Sequence, residues 1–231
     1  MHGVRGTDLL REAAAAPLRG RPTALRERLR AAALALLRRE PLIEAAYSYR
    51  IVPLDAPAAE TLRVGGESLH APRLLPEAGE LTALGCAVCT IGPAIEARVR
   101  ALFMEKRPSL GLALDELGNE LLFAVSRRMQ DRMTADAVRR GLTLGGELRA
   151  GDPGLALQAQ AVVLRLAQAD GIGVSLGRGL AMHPLKSASM VFGLGIDLPP
   201  VRWSRCDECP SRARCRMAGR SAVAATVTAT A

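Results

Sequence analysis

The strand-like segments of this chain fall into two groups, separated by a long helical stretch. The first group is rich in apolar and β-branched residues, broken by Pro and Gly, and covers 48–56, 60–70 and 81–92. The second group covers 142–154, 172–182 and 187–197. Helical spacing of apolar residues predicts helices over 5–16, 22–40, 93–106, 110–140 and 155–168. Strands grouped in this way predict an α+β fold and not alternating βαβ units.

Composition limits the environment in which the chain can work. Of its 231 residues, 49% are hydrophobic and 23% are charged, as in an ordinary globular protein that can build a core without disulfides. No apolar stretch approaches the roughly 20 residues that a membrane span needs. Asp8, Arg11 and Glu12 interrupt the N-terminus where a signal peptide would be apolar. We therefore expect a cytoplasmic protein without a membrane partner.

The net charge of +8 raises the question of nucleic-acid binding. The positive charge is scattered arginine, and aromatic residues make up only 3% of the chain, so the stacking platforms of single-strand binders are missing. We expect no nucleic-acid partner. The glycines of GIGVSLGRG (171–179) do not open a helix directly after a strand, which excludes a dinucleotide-binding fingerprint.

The cysteines predict a metal site near the C-terminus. Cys206, Cys209 and Cys215 stand in CDECPSRARC, and a Cys-x-x-Cys turn can direct two thiolates at one metal while a third closes over it. Zinc and a four-iron cluster both fit three thiolates with an open fourth position. Cys86 and Cys89 have the same spacing, but they lie in a predicted strand, where positions three apart face opposite ways. That pair is not expected to chelate.

Five segments in order resemble the activation domain of cobalamin-dependent methionine synthase, and in particular its stand-alone members that end in a Cys cluster. They are TIGPAIEARV (90–99), LDELGNELL (114–122), RAGDPG (149–154), GIGVSL (171–176) and MHPLKSASMVFGLG (182–195). The resemblance implies an α+β domain with a twisted antiparallel sheet that binds S-adenosylmethionine at its surface. It divides the chain into an N-terminal helical segment (1–40), an activation-domain-like domain (41–200), a Cys-cluster metal-binding loop (201–219) and a disordered tail (220–231).

The resemblance also implies a function. Such a domain docks on a corrinoid module whose cobalt has been oxidised to Co(II). An electron from a flavodoxin- or ferredoxin-type donor and a methyl group from S-adenosylmethionine then restore methylcobalamin. The chain has no corrinoid-binding motif of its own, so the cobalamin must come with a partner, either a corrinoid-binding protein or a methyltransferase subunit.

Seven residues carry the implied cofactor site. Arg149, Pro153 and Gly154 match a turn whose Arg and backbone meet S-adenosylmethionine, although this turn has one extra residue and Leu155 in place of an aromatic. Pro184, Ser187 and Ser189 match a loop that leads into a strand at the ligand and corrinoid face, and Lys186 stands among them. The alternative is that the two serines are simply the polar face of that strand, but the order of the segments favours the ligand face. His183, a single His with no partner in sequence, is interpreted as a loop residue.

Two functions therefore remain open from the sequence. The chain either binds S-adenosylmethionine and reactivates a partner-bound corrinoid, or it retains the fold as a docking or metal-binding subunit of a corrinoid-dependent methyltransferase. The missing aromatic favours the second function, and the retained Pro-x-x-Ser-x-Ser favours the first.

Overall fold

The computed structural model describes residues 2–16 and 23–199 of the chain. Within these ranges the α-helices are α1 (Gly6–Ala15), α2 (Ala24–Arg39), α3 (Ala94–Met104), α4 (Pro108–Arg139) and α5 (Gln160–Ala167). The strands are β1 (His2–Gly3), β2 (Ala46–Pro53), β3 (Thr61–Val64), β4 (Glu67–His70), β5 (Glu80–Thr90), β6 (Thr143–Leu148), β7 (Ser175–Leu176), β8 (Met182–His183) and β9 (Ser187–Ile196).

The main sheet has five antiparallel strands in the order β1-β2-β5-β9-β6. The α+β prediction is therefore confirmed. β5 and β9 lie at its centre, and the pairs Thr90–Ser187 and Glu80–Ile196 mark the two ends of their register. Both strands are apolar along nearly their whole length, because both of their faces are covered.

Each face of the sheet has its own hydrophobic core. Ala87 and Cys89 of β5 lie in a core with residues of α1, α2 and α4, whereas Cys86 and Val88 lie in a second core with the β3–β4 hairpin and α5. The strand alternation predicted from the sequence is thus observed. Leu9, Leu34 and Leu37 bring the N-terminal helices into the first core, so these helices cover the same face of the sheet as α4.

Polar contacts fix α4 to its neighbours. Arg30 of α2 lies 2.7 Å from the Glu120 carboxylate, and the Tyr49 hydroxyl of β2 donates to Asp136 near the end of α4. Burial, and then the hydrogen bond to Asp136, raise the pKa of Tyr49. These contacts therefore fix α4 across the sheet near its middle and near its C-terminal end.

One predicted strand is wrong. Residues 172–182 form short 3-10 turns and the two-residue strands β7 and β8. Gly173, Gly179 and Leu180 have φ of 72°, 75° and 63°, so the chain reverses direction repeatedly where an extended strand was expected. Similarly, the 60–70 segment is a hairpin that turns at Gly65 and Gly66, and the helix predicted from 155 begins only at Gln160.

Residues 200–231, which include Cys206, Cys209 and Cys215, lie outside the described residues. None of the described helices combines the length and apolarity that a bilayer crossing requires.

Candidate functional site

The two segments that were predicted to form a cofactor site border the same end of the sheet. β9 begins at Ser187, opposite the last residue of β5, Thr90. β6 ends at Leu148, which pairs with Val191, so the turn that begins at Arg149 follows beside the start of β9. The antiparallel order of β5, β9 and β6 therefore brings together segments that are distant in sequence.

The turn after β6 is held by its own hydrogen bonds. The backbone N–H of Arg149 donates to Oδ2 of Asp152 over 2.9 Å, and the N–H of Asp152 returns a bond of 2.9 Å to the Arg149 carbonyl. Gly154 has a φ of 87°, and a Cβ there would lie 2.9 Å from side-chain carbons of Arg73. Only glycine fits both the conformation and the space. The turn is therefore a fixed structure, with Gly151 and Pro153 exposed at its tip.

The Arg149 side chain lies beside Glu147, on the face of the sheet that α1, α2 and α4 cover. Its Nε donates to Oε1 of Glu147 over 3.1 Å, and about a quarter of each side chain is exposed. Burial raises the pKa of the Cys89 thiol to about 12, and the positive charge of Arg149 opposes that rise. Arg149 is thus a partly buried cation at the edge of the sheet.

The loop before β9 is fixed to two helices. The Leu185 N–H donates to Oε2 of Glu96 in α3 over 3.1 Å. The Lys186 ammonium lies 2.7 Å from Oδ1 of Asp115 and 2.7 Å from Oδ1 of Asn119, both in α4. Pro184 follows a cis peptide bond and is buried. These contacts hold the Leu185 side chain 57% exposed on a rigid loop.

Ser187 and Ser189 share one face of β9, as their spacing predicts, but that face is buried. Their exposed fractions are 8% and 4%. Ser187 donates to the Thr90 hydroxyl over 3.0 Å, and the same hydroxyl accepts the Gly92 N–H over 3.1 Å and faces the Lys186 carbonyl at 3.3 Å. The polar face is therefore internal, and Thr90 connects β5 to the loop before β9.

Sequence reasoning missed a polar row on α4 that lines this region. Asp115, Asn119, Ser126 and Gln130 lie on one side of the helix, and their spacing of four, seven and four residues is the signal that could have found them. The first two bind Lys186. Ser126 and Gln130 contact the Met190 sulfur at 3.8 and 3.4 Å.

Cys86 and Cys89 lie on opposite faces of β5, as their spacing on a strand predicted. Both are free and fully buried, and burial raises the pKa of each thiol to about 12. Among residues 2–16 and 23–199, no cluster of His, Cys, Asp or Glu has the size and proximity needed to hold a metal ion. The predicted metal ligands, Cys206, Cys209 and Cys215, fall outside that part of the chain.

Two depressions of the described surface lie away from these segments. One of about 620 Å³ separates α1 from the end of α2, with Leu10, Leu37 and Ile43 among its lining residues, and one of about 240 Å³ separates α2 from α4. None of the seven predicted cofactor residues lines either depression. The candidate site therefore lies on the surface at the end of the sheet, outside both depressions.

The fold is similar to one solved structure in particular, the crystal structure of the MetH reactivation domain bound to AdoHcy. The TM-score is 0.58 and the sequence identity is 14%, over 81% of this chain and 71% of that chain. This likeness establishes an α+β fold of the activation-domain kind. No family model matches the chain, and no curated protein matches it.

Proposed function

We propose that the chain binds S-adenosylmethionine beside the turn after β6 and supports the reductive methylation of a cobalamin held by a partner protein. One observation carries the proposal. In a fold like that of a domain solved with AdoHcy, the Arg149 turn and the 184–189 segment adjoin the same end of β9.

Arg149 is the residue that we assign to the ligand's carboxylate. Only its Nε is bonded to Glu147, and its two terminal nitrogens form no hydrogen bond with the described residues. A guanidinium presents such nitrogens as a fork that matches a carboxylate. Gly151 and Pro153 are exposed at the tip of the turn and carry no bulky side chain, so an adenosine group can approach the backbone there.

The 184–189 segment has a supporting role in this proposal. The Lys186 ammonium forms an ion pair with Asp115 and a hydrogen bond with Asn119. Ser187 is bonded to Thr90. Lys186 and Ser187 therefore fix the loop. The exposed Leu185 side chain is then presented to the partner, because an apolar group on a rigid loop costs little entropy to bury.

In this proposal the partner and the chain contribute different parts of the methyl transfer. The partner's cobalamin would supply the redox and methyl-accepting chemistry, and S-adenosylhomocysteine would be the leaving group. This chain contributes position: Arg149 holds one end of the ligand, and the open surface leaves the sulfonium methyl accessible to a docked partner. A metal centre held by Cys206, Cys209 and Cys215 would contain zinc or iron. An iron centre would be able to pass the electron.

A second function is favoured by one residue. Leu155, which stands where the related family has an aromatic, is 1% exposed in the core beneath the sheet and offers nothing to a ligand. If S-adenosylmethionine does not bind, the same surface serves to dock an accessory subunit onto a methyltransferase.

Replacing Arg149 by Ala is expected to weaken S-adenosylmethionine binding by about tenfold or more, because a charged hydrogen bond contributes about 1.5–3 kcal/mol. Isothermal titration of the wild-type chain and the variant measures this change. Arg165→Ala is the matched control, since Arg165 also pairs with a carboxylate, that of Glu67, but joins β4 to α5. Absence of heat from the wild type at millimolar ligand would contradict the binding proposal and select the docking function.

A further inference from the structure

Arg149 and Glu147 form a pair of opposite charges at the edge of the sheet. Glu147 lies in β6, the outermost strand on that side, and Arg149 directly follows the last residue of that strand. The two residues are two positions apart, so their side chains share one face. Glu147 pairs with Phe192 of β9, which belongs to the core beneath α4. Both charged groups therefore sit where that core meets solvent.

Arg149 and Glu147 form only one hydrogen bond with each other. A single bond of 3.1 Å joins Nε of Arg149 to Oε1 of Glu147, although guanidinium and carboxylate can form two. Oε2 of Glu147, like the terminal nitrogens of Arg149, forms no hydrogen bond with the described residues. A fork of donors and a charged acceptor thus stand side by side.

This arrangement suits a zwitterion better than a simple anion. Glu147 offsets the charge of Arg149, so a lone carboxylate gains little net attraction from the pair. In an α-amino acid the carboxylate and the ammonium are attached to the same carbon, and each can then meet the group of opposite charge.

We infer that Glu147 is a specificity-determining residue that binds the α-ammonium group of the ligand while Arg149 binds its carboxylate. The inference rests on the proposed function, because it concerns the amino-acid end of the same ligand. The site therefore selects adenosyl amino acids over adenosyl carboxylic acids.

The test compares two probes, S-adenosylhomocysteine and its des-amino analogue, in which hydrogen replaces the ammonium group. The wild-type chain is expected to bind the first about tenfold more tightly, the equivalent of one charged hydrogen bond. In Glu147→Gln the preference disappears, and the des-amino analogue binds better than it does to wild type, because the Arg149 charge is no longer offset. Glu67→Gln, which removes the carboxylate from the Arg165 pair, keeps the wild-type preference.

A purely structural role for Glu147 would weaken both probes equally and leave their ratio unchanged. That result, or equal affinity of the wild type for the two probes, overturns the inference while the proposed function stands. If the wild type binds neither probe, the proposed function itself fails.

Discussion

Replacing Cys209 by Ala will remove the metal that we expect the chain to carry, whereas replacing Cys89 by Ala will leave it in place. The spacing of the three cysteines in the Pro-containing segment 206–215 predicts that their thiolates converge on one ion. Cys89 cannot join them, because it is fully buried between β5 and α4 and burial raises the pKa of its thiol to about 12, which disfavours the thiolate that binds metals. Anaerobic purification followed by metal and sulfide analysis measures the difference.

The metal identity follows from the same preparation. Iron with acid-labile sulfide indicates a cluster that can pass an electron, and zinc near one per chain indicates a structural centre. A wild-type chain without metal would contradict the prediction, and so would loss of metal in Cys89→Ala. A metal-free wild type would also remove the electron-transfer role proposed for the C-terminal cysteines, whereas loss of metal in Cys89→Ala would show that the two groups of cysteines are not separate sites.

Replacing Thr90 by Val will lower the free energy of unfolding by about 2–6 kcal/mol, because two buried donors lose their acceptor at about 1–3 kcal/mol each. Those donors are the Ser187 hydroxyl and the Gly92 N–H. Denaturant titration measures the change. Thr90→Ser keeps the hydroxyl and should restore most of the stability. Thr61→Val, at an exposed strand position, should have little effect.

The same variant tests the link from Thr90 to the ligand site. If Thr90 fixes the loop that begins β9, Thr90→Val also weakens S-adenosylmethionine binding under conditions where the chain is still folded. A change in stability below about 1 kcal/mol would be smaller than one lost buried hydrogen bond and would contradict the assigned role.

Sequence patterns predicted the elements that local physics determines. The apolar run that became β5, the helices on either side of residues 105–107, and the opposite orientation of Cys86 and Cys89 all follow from periodicity and from proline position. The 172–182 segment was misread because its apolar residues alternate with glycines whose positive φ breaks the strand.

The candidate site was predicted in part. The sequence identified Arg149 and the 184–189 segment, but it did not show that Ser187 is turned inward toward Thr90 or that Lys186 is bonded to α4. Those facts depend on strand register and on the path of α4, which are set by the packing of distant segments. The contact between Glu147 and Arg149 is local, but its place at the edge of the sheet depends on β6 being the outermost strand, which the order of the strands along the chain did not reveal.

The most direct test of the proposed function is methyl transfer to a partner-bound corrinoid. A corrinoid protein that co-purifies with the chain is poised as Co(II), supplied with a low-potential reductant, and given S-adenosylmethionine labelled in its methyl group. We expect label to appear in methylcobalamin when the wild-type chain is present, and Arg149→Ala to reduce it strongly. Label that appears at the same rate without the chain, or that never appears although the chain binds S-adenosylmethionine, would contradict the proposed function.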